Sequence, residues 1–545
     1  SPHEGPWLRG STMLTMEPGE TRRFKLRVIY GYWGGAGAVS HAQLSLIGWG
    51  GNWKWDESAL GAWGESITFD PAQHIAGSFM GDIRPSFTDS YSANGPTYGW
   101  TENCGGADFL LYRDSTNTYR WGKRLKTCFH RTGPNMTEVI YGGVTDDERI
   151  RFTYTARAVS THDYHRRFSK YRYEFLEDVT SPQRLVFHQM AADYYMVPSY
   201  TNYYLGDENG LLESRVIDAG GNTYKGAPID FNGKWLSIDD TIGGGNPAKA
   251  LRGLMSLSST LNDAPLPVYL HTYGRTWGSS TMLFDLAGAA VTDSYNAGDV
   301  VAGELEFVMP PQHRDNYWGG DNELINRLTS YGDTAWEPVR DEWAHNAKLD
   351  ISMQSGTLLR SYPLEIQPQS NDSVLADFTI NSGGIGHLPV IIQGAAAGQE
   401  LKVQRWNSGN WTDLEGVDLA GNAYYQGVTN PDGSMDYIFS IPRPSLDLNA
   451  SWRVRIINAD IVIPNDPPAF ASDPITEIDG SAGSPYESSL ADDASDPESD
   501  SLTFAKLSGP AWLDVAADGT LTGTPGPADV GLNTFSVQVS DAGSS

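Results

Sequence analysis

Cysteine is almost missing from this chain: 545 residues contain only Cys104 and Cys128. So few sulfurs exclude a small disulfide-stapled scaffold, and the lack of a Cys/His cluster at ligand spacing excludes a structural zinc site. No run of eighteen apolar residues occurs, which excludes a membrane-spanning helix. Cations are scarce as well. Lys and Arg number 38 against 67 Asp and Glu, a net charge of −29, whereas a nucleic-acid-binding domain is strongly basic. Nucleophile elbow, P-loop, HExxH and dinucleotide fingerprint are all missing, so no common catalytic motif announces an activity.

What is abundant points to β structure. With 59 Gly, 31 Pro, 27 Tyr and 17 Trp, the composition is that of a turn-rich, all-β, extracellular chain. The start at Ser1-Pro2-His3, without Met, suits a mature secreted or cell-surface protein. Between the cysteines, residues 109–113 read as a strand, 114–117 as a turn and 118–121 as the return strand. That hairpin brings the sulfurs of Cys104 and Cys128 together as a disulfide, with two buried thiols as the alternative.

Length implies several domains. Residues 1–347 show short alternating runs separated by Gly, Asn and Asp turns, closed by helices at 322–330 and 335–347, and read as a large antiparallel double sheet. Residues 348–463 carry short β runs of an Ig-like sandwich. The linker Pro464-Asn465-Asp466-Pro467-Pro468 marks the next boundary, since it continues neither helix nor central strand.

The segment 464–545 holds Asn465-Asp466-Pro467-Pro468-Ala469-Phe470, Asp496-Pro497-Glu498-Ser499-Asp500, Pro510-Ala511-Trp512-Leu513 and Asp518-Gly519-Thr520-Leu521-Thr522-Gly523-Thr524-Pro525. Together these resemble the Ig-like, cadherin-like repeats of secreted bacterial proteins. The resemblance implies a β-sandwich spacer or adhesion module, often associated with Ca²⁺, and not a catalyst. Asp492, Asp493, Asp496, Glu498 and Asp500 are the oxygen ligands a structural Ca²⁺ would use; solvated loop acids are the alternative. No organic cofactor is expected. The layout of the first domain loosely resembles the galactose-mutarotase-type supersandwich of several lyases and hydrolases, an analogy of fold alone.

One window departs from the acidic average. Residues 120–172 carry twelve Lys/Arg against five Asp/Glu. Left unpaired, such a patch would collect an anionic glycan; the alternative is pairing with Asp146, Asp147, Glu148 and other carboxylates. Read as a strand, residues 163–175 put His165, Arg167, Tyr171 and Tyr173 on one face and Arg166, Phe168, Lys170, Arg172 and Glu174 on the other. A hairpin through 178–182 would then set His188 opposite Tyr173. In that arrangement Arg167 neutralises a uronate carboxylate, His165 or His188 removes the C5 proton, and Tyr173 protonates the leaving oxygen.

Tyr171 and the tyrosines of the next loop, Tyr194, Tyr195, Tyr200, Tyr203 and Tyr204, suit stacking on sugars, with His271, Arg275 and Trp277 as a further cleft wall. Glu57, Glu65 and Asp82 are the acids of the competing glycosidase reading. The expected function is cleavage of an anionic polysaccharide, uronate or sulfated, by β-elimination. Hydrolysis and non-catalytic carbohydrate binding or adhesion are the alternatives. Oligomeric state leaves no trace in the sequence.

Overall fold

The run from Tyr171 to Phe175 alternates as a half-buried strand must: Tyr171, Tyr173 and Phe175 are buried, Arg172 is exposed and Glu174 half-buried. The computed structural model extends this pattern into an all-β protein of antiparallel sheets. It describes residues 107–131, 135–159, 165–192, 202–238, 252–277, 279–309, 336–370, 373–384, 387–414, 425–444, 449–459, 467–496 and 501–541. Residue 21 and the strand backbones 44–47, 57–60, 67–68, 86–92 and 95–100 complete the described set.

Two sheets form the large sandwich. Its strands are β1 (Ala107–Arg113), β2 (Gly122–Arg131), β3 (Met136–Thr145), β4 (Ile150–Val159), β5 (His165–Phe175), β6 (Arg184–Ala192) and β7 (Asn202–Asp207). They continue with β8 (Gly210–Val216), β9 (Thr223–Asp230), β10 (Trp235–Ile238), β11 (Arg252–Leu261), β12 (Tyr269–Trp277), β13 (Ser279–Ala287) and β14 (Val300–Met309). The ten-stranded sheet runs β8-β7-β10-β11-β14-β5-β4-β3-β2, with Ala264–Pro265 paired to β11. The five-stranded sheet runs β9-β12-β13-β6-β1. Between them lies a core that includes Phe109, Tyr154, Tyr173, Phe187, Phe284 and Phe307.

Two expected hairpins are absent. β1 belongs to the five-stranded sheet and β2 to the ten-stranded one, so the turn after β1 crosses between sheets after a single bridge, Arg113 to Tyr119. Likewise β5 pairs with β4 and β14, whereas β6 pairs with β1 and β13. The expected hairpin of strand 163–175, turn 178–182 and return strand 184–190 is therefore corrected to a crossover. Helix α1 (Glu337–His345) falls inside the expected 335–347 span and buries Val339 and Trp343, while Trp336 stacks on Trp235. The expected helix at 322–330 lies outside the described residues. Among the described residues no helix is long and apolar enough to cross a membrane.

The chain divides into two compact units, residues 1–368 with 380–398 and 415–451, and residues 369–379 with 399–414 and 452–545. Beyond the large sandwich, the first unit holds a sheet ordered Thr357–Ser361, Leu364–Gln367, His387–Ala395, Met435–Pro442, Tyr425–Thr429, antiparallel except for one parallel pair. In the second unit Trp452–Asn458, Leu401–Asn407 and Asn410–Asp413 lie side by side. Its C-terminal part packs around Tyr486, Leu490, Phe504, Leu513 and Leu521.

Candidate functional site

The residues first drawn together by the sequence do meet, but inside the sandwich. Arg167, Tyr173 and His188 are all 0 % exposed and Tyr171 is buried. Arg167 donates to the Tyr154 hydroxyl at 2.6 Å and lies over the Phe307 ring, while the Tyr173 hydroxyl donates to the Phe187 carbonyl at 2.6 Å. His188 stacks against Tyr154 and meets Phe307 edge-on, and neither of its ring nitrogens has a hydrogen-bond partner. Burial, followed by the Arg167 charge, holds His188 well below the ordinary imidazole value, and burial raises the Tyr173 phenol well above its own. Sealed in the core, these groups are out of reach of a polymeric substrate, whatever their protonation.

His188 faces inward because the β1–β6 ladder is irregular. Pairing skips from Val186–Leu111 to His188–Phe109, and Leu110 sits at φ 49°. Phe187 and His188 consequently both contribute to the interior, which period-two counting does not anticipate.

The other candidates scatter. Tyr203 is a core residue against Phe284, and Tyr204 packs half-buried beside the same core. Arg275 is exposed on β12. The side chains of His165 and Trp277 lie outside the described residues, as do Tyr194, Tyr195, Tyr200, Glu65 and Asp82, the side chain of Glu57, and the disulfide expected between Cys104 and Cys128. Asp492 is exposed and Asp493 and Asp496 half-buried; Glu498 and Asp500 lie outside the described residues, among which no three His, Cys, Asp or Glu converge as metal ligands.

The basic window is largely spoken for. Arg120 pairs with Asp114 at 2.5 Å, Lys123 with Glu148 at 3.1 Å, Arg151 with Glu174 at 3.0 Å, Arg157 with Glu138 at 2.7 Å, Arg166 with Glu342 at 3.0 Å and Lys170 with Glu304 at 3.1 Å. Several partners lie outside the window, which is why a count along the chain overstated the patch.

A different constellation stands on the outer face of the five-stranded sheet. Asp285, on β13 at the centre of the five-stranded sheet and 0 % exposed, accepts from Arg184 at 2.6 Å, from the Tyr224 hydroxyl at 2.9 Å and from the Gln189 amide. Register sets His271, Asp285 and Gln189 in one cross-strand row. His271 is fixed by a 2.9 Å contact to the Gly288 carbonyl, and Tyr224 packs edge-on to both His271 and Tyr273. The Arg184 guanidinium lies over the Tyr273 ring. The top of this group is open: Tyr224 is 37 % exposed. Only His271 was anticipated. Arg184, Gln189, Tyr224 and Asp285 come from three separated strands, so no sequence spacing signals them.

Burial, then the Asp285 charge, raises the Tyr224 hydroxyl far above its ordinary value. Burial opposes the Arg184 charge, yet Asp285 outweighs it and raises that group too. Tyr224 therefore keeps its proton and Arg184 its charge, an arrangement that donates hydrogen bonds and does not abstract protons.

Residues 465–545 match the family model for a bacterial Ig domain, and this segment is a C-terminal Ig domain, as the resemblance implied. No curated protein matches the chain. Among solved structures, a GH36 α-galactosidase from Geobacillus stearothermophilus is 9 % identical, with 49 % of this chain and 41 % of that one covered and a TM-score of 0.28. An α-galactosidase from Lactobacillus brevis is 9 % identical over 47 % of this chain and 37 % of that one, TM-score 0.26. An endo-fucoidan hydrolase of glycoside hydrolase family 107 is 16 % identical over 59 % and 42 %, TM-score 0.17. The chain spans about a third of the length of the first α-galactosidases it matches, 30 % and 32 %. Likeness at this level carries neither fold nor activity to the chain.

Proposed function

We propose that the chain is an extracellular carbohydrate-active protein whose large sandwich recognises a polysaccharide on the outer face of the five-stranded sheet. The observation that carries this reading is Asp285, fully buried yet holding Arg184, Gln189 and the open ring of Tyr224 in one fixed group. Sugars are bound by an aromatic face set beside rigid donors and acceptors, and a buried carboxylate that fixes its neighbours' rotamers supplies that rigidity. Recognition is the chemistry these groups support, since the exposed phenol retains its proton and the carboxylate is occupied. Elimination by Arg167, Tyr173 and His188 draws no support from side chains sealed in the core.

A panel of neutral, uronate and sulfated glycans tests the proposal by calorimetry, with Tyr224→Ala as the variant. Binding to at least one glycan, weakened about tenfold by loss of the ring, is the expected result; about that much follows from one lost stacking contact. Wild-type affinity in Tyr224→Ala would remove the site. Absorbance of unsaturated sugars in the same mixtures would establish elimination, and new reducing ends without it hydrolysis; either would locate catalysis away from the Asp285 group.

A further inference from the structure

The opposite outer face of the sandwich, on the ten-stranded sheet, carries a second feature independent of the Asp285 group. Register aligns Gly142 on β3, Thr153 on β4, Arg172 on β5, Ala302 on β14 and Thr260 on β11 in one row across five strands. All but Arg172 are small. The row two residues along each strand in one direction holds Val144, Arg151 and Glu174, and in the other Thr155, Lys170 and Glu304. Small residues between taller rows make a trough across the strands. At about 4.8 Å per strand it is roughly 19 Å long, with walls about 13 Å apart.

The trough is open and cationic in an otherwise acidic chain. Arg151 is 58 % and Lys170 40 % exposed, each paired with one wall carboxylate, and Arg360 shares Glu304 with Lys170. Arg172, in the floor, is exposed and makes no ion pair among the described residues. At one end a cavity of about 500 Å3 opens, its lining including Gly142, Val144, Arg151, Thr153 and Leu176 together with Glu148, whose carboxylate is paired with Lys123 at 3.1 Å. A Cβ placed on Gly142 would meet only the Phe152 carbonyl, at 3.7 Å, so its lack of a side chain leaves open space in the trough.

From this geometry we infer that the trough is a binding site for an extended anionic polysaccharide, with Arg172 taking a carboxylate or sulfate from the floor. A guanidinium fork matches either oxyanion, and the length suits several sugar units lying across the strands. A nucleic acid fits poorly, because its dense phosphates need a continuous cationic path and here a single guanidinium stands unpaired.

Fluorescent heparin, polygalacturonate and neutral dextran, titrated by anisotropy at two salt concentrations, test the site. Binding to one or both polyanions and not to dextran is expected, the preferred polyanion distinguishing sulfate from carboxylate. Arg172→Ala and Gly142→Leu should each weaken binding about tenfold, one by removing a charge-assisted pair and the other by filling the floor. Arg172→Lys should restore part of the loss, and Arg172→Ala should still cost about tenfold when added to Tyr224→Ala, which separates the trough from the Asp285 site. Failure of the wild type to bind either polyanion, wild-type affinity in both Arg172→Ala and Gly142→Leu, or equal competition by single-stranded DNA would overturn the assignment.

Discussion

The Tyr362 hydroxyl lies 2.8 Å from Glu306 Oε1 and is also within hydrogen-bond distance, 2.6 Å, of Glu342. A phenol has one proton to donate, so two carboxylates around it are satisfied together only if one of them is protonated. Arg166 stands 3.0 Å from Glu342, with both side chains fully buried. Glu306 carries the proton: burial pushes its carboxyl up to about 7, against the opposing pull of Arg166, Tyr362 and Arg360.

A pH dependence of stability follows. The folded value of Glu306 stands above the unfolded one, so its contribution is fully present below about pH 4.5 and is lost as pH rises through 7. The loss is on the order of 3 kcal/mol. Glu306→Gln keeps a donor without the titration. Calorimetric melting between pH 4.5 and 8 should show the wild type losing stability relative to this variant; parallel curves would refute the proton assignment.

His188 imposes the opposite slope. Its folded value lies well below the unfolded one, so the unfolded chain takes up a proton first and stability falls as pH drops below about 6.5. His188→Phe removes two unpaired buried nitrogens and keeps a ring beside Tyr154 and Phe307. The variant should fold, gain about 1 kcal/mol at pH 7 and lose part of the acid limb in chemical denaturation. Glycan binding should not change. A loss of binding in a folded His188→Phe protein would return this residue to the site.

Much of the architecture was legible because it depends on local pattern. Alternation at 171–175, Trp336, Val339 and Trp343 at helical spacing, and the Asp-Gly-Thr-Leu-Thr-Gly-Thr-Pro signature of the C-terminal Ig domain all survive in the structure. What failed is what local pattern does not encode. Whether β6 follows β5 in the same sheet or crosses to the other is decided by how the core closes, and that choice turned a supposed surface of Arg167, Tyr173 and His188 into packing. Arg166 and Arg167 are both fully buried because β5 is covered on both faces there. The Asp285 group was invisible for the converse reason, being assembled from β6, β9, β12 and β13.

Asp285 should also matter to folding. Asp285→Asn removes the charge that holds Arg184 and leaves a largely buried guanidinium without its anion. Breaking a buried pair from one side costs about 3 to 5 kcal/mol. Urea unfolding should register that loss, and Arg184→Met combined with Asp285→Asn should recover a good part of it, since both charges then leave the interior. Additive losses in the double variant would mean that the two side chains are energetically independent despite their 2.6 Å contact.

Gly303 offers a test of packing between adjacent strands. It sits opposite Tyr171 across the β5–β14 ladder, and a Cβ there would fall 2.3 Å from the Tyr171 ring carbon and hydroxyl oxygen. The ring cannot retreat freely, because it stacks on Tyr173 at 5.1 Å and on Phe187 at 6.0 Å. Gly303→Ala should therefore destabilise the sandwich by about 1 to 3 kcal/mol through overpacking. Tyr171→Leu alone loses ring contacts, but in the Gly303→Ala background the smaller side chain makes room for the added methyl. Denaturation of all four proteins should show the double variant more stable than the sum of the single losses predicts, and simple additivity would show that Tyr171 is not the obstacle.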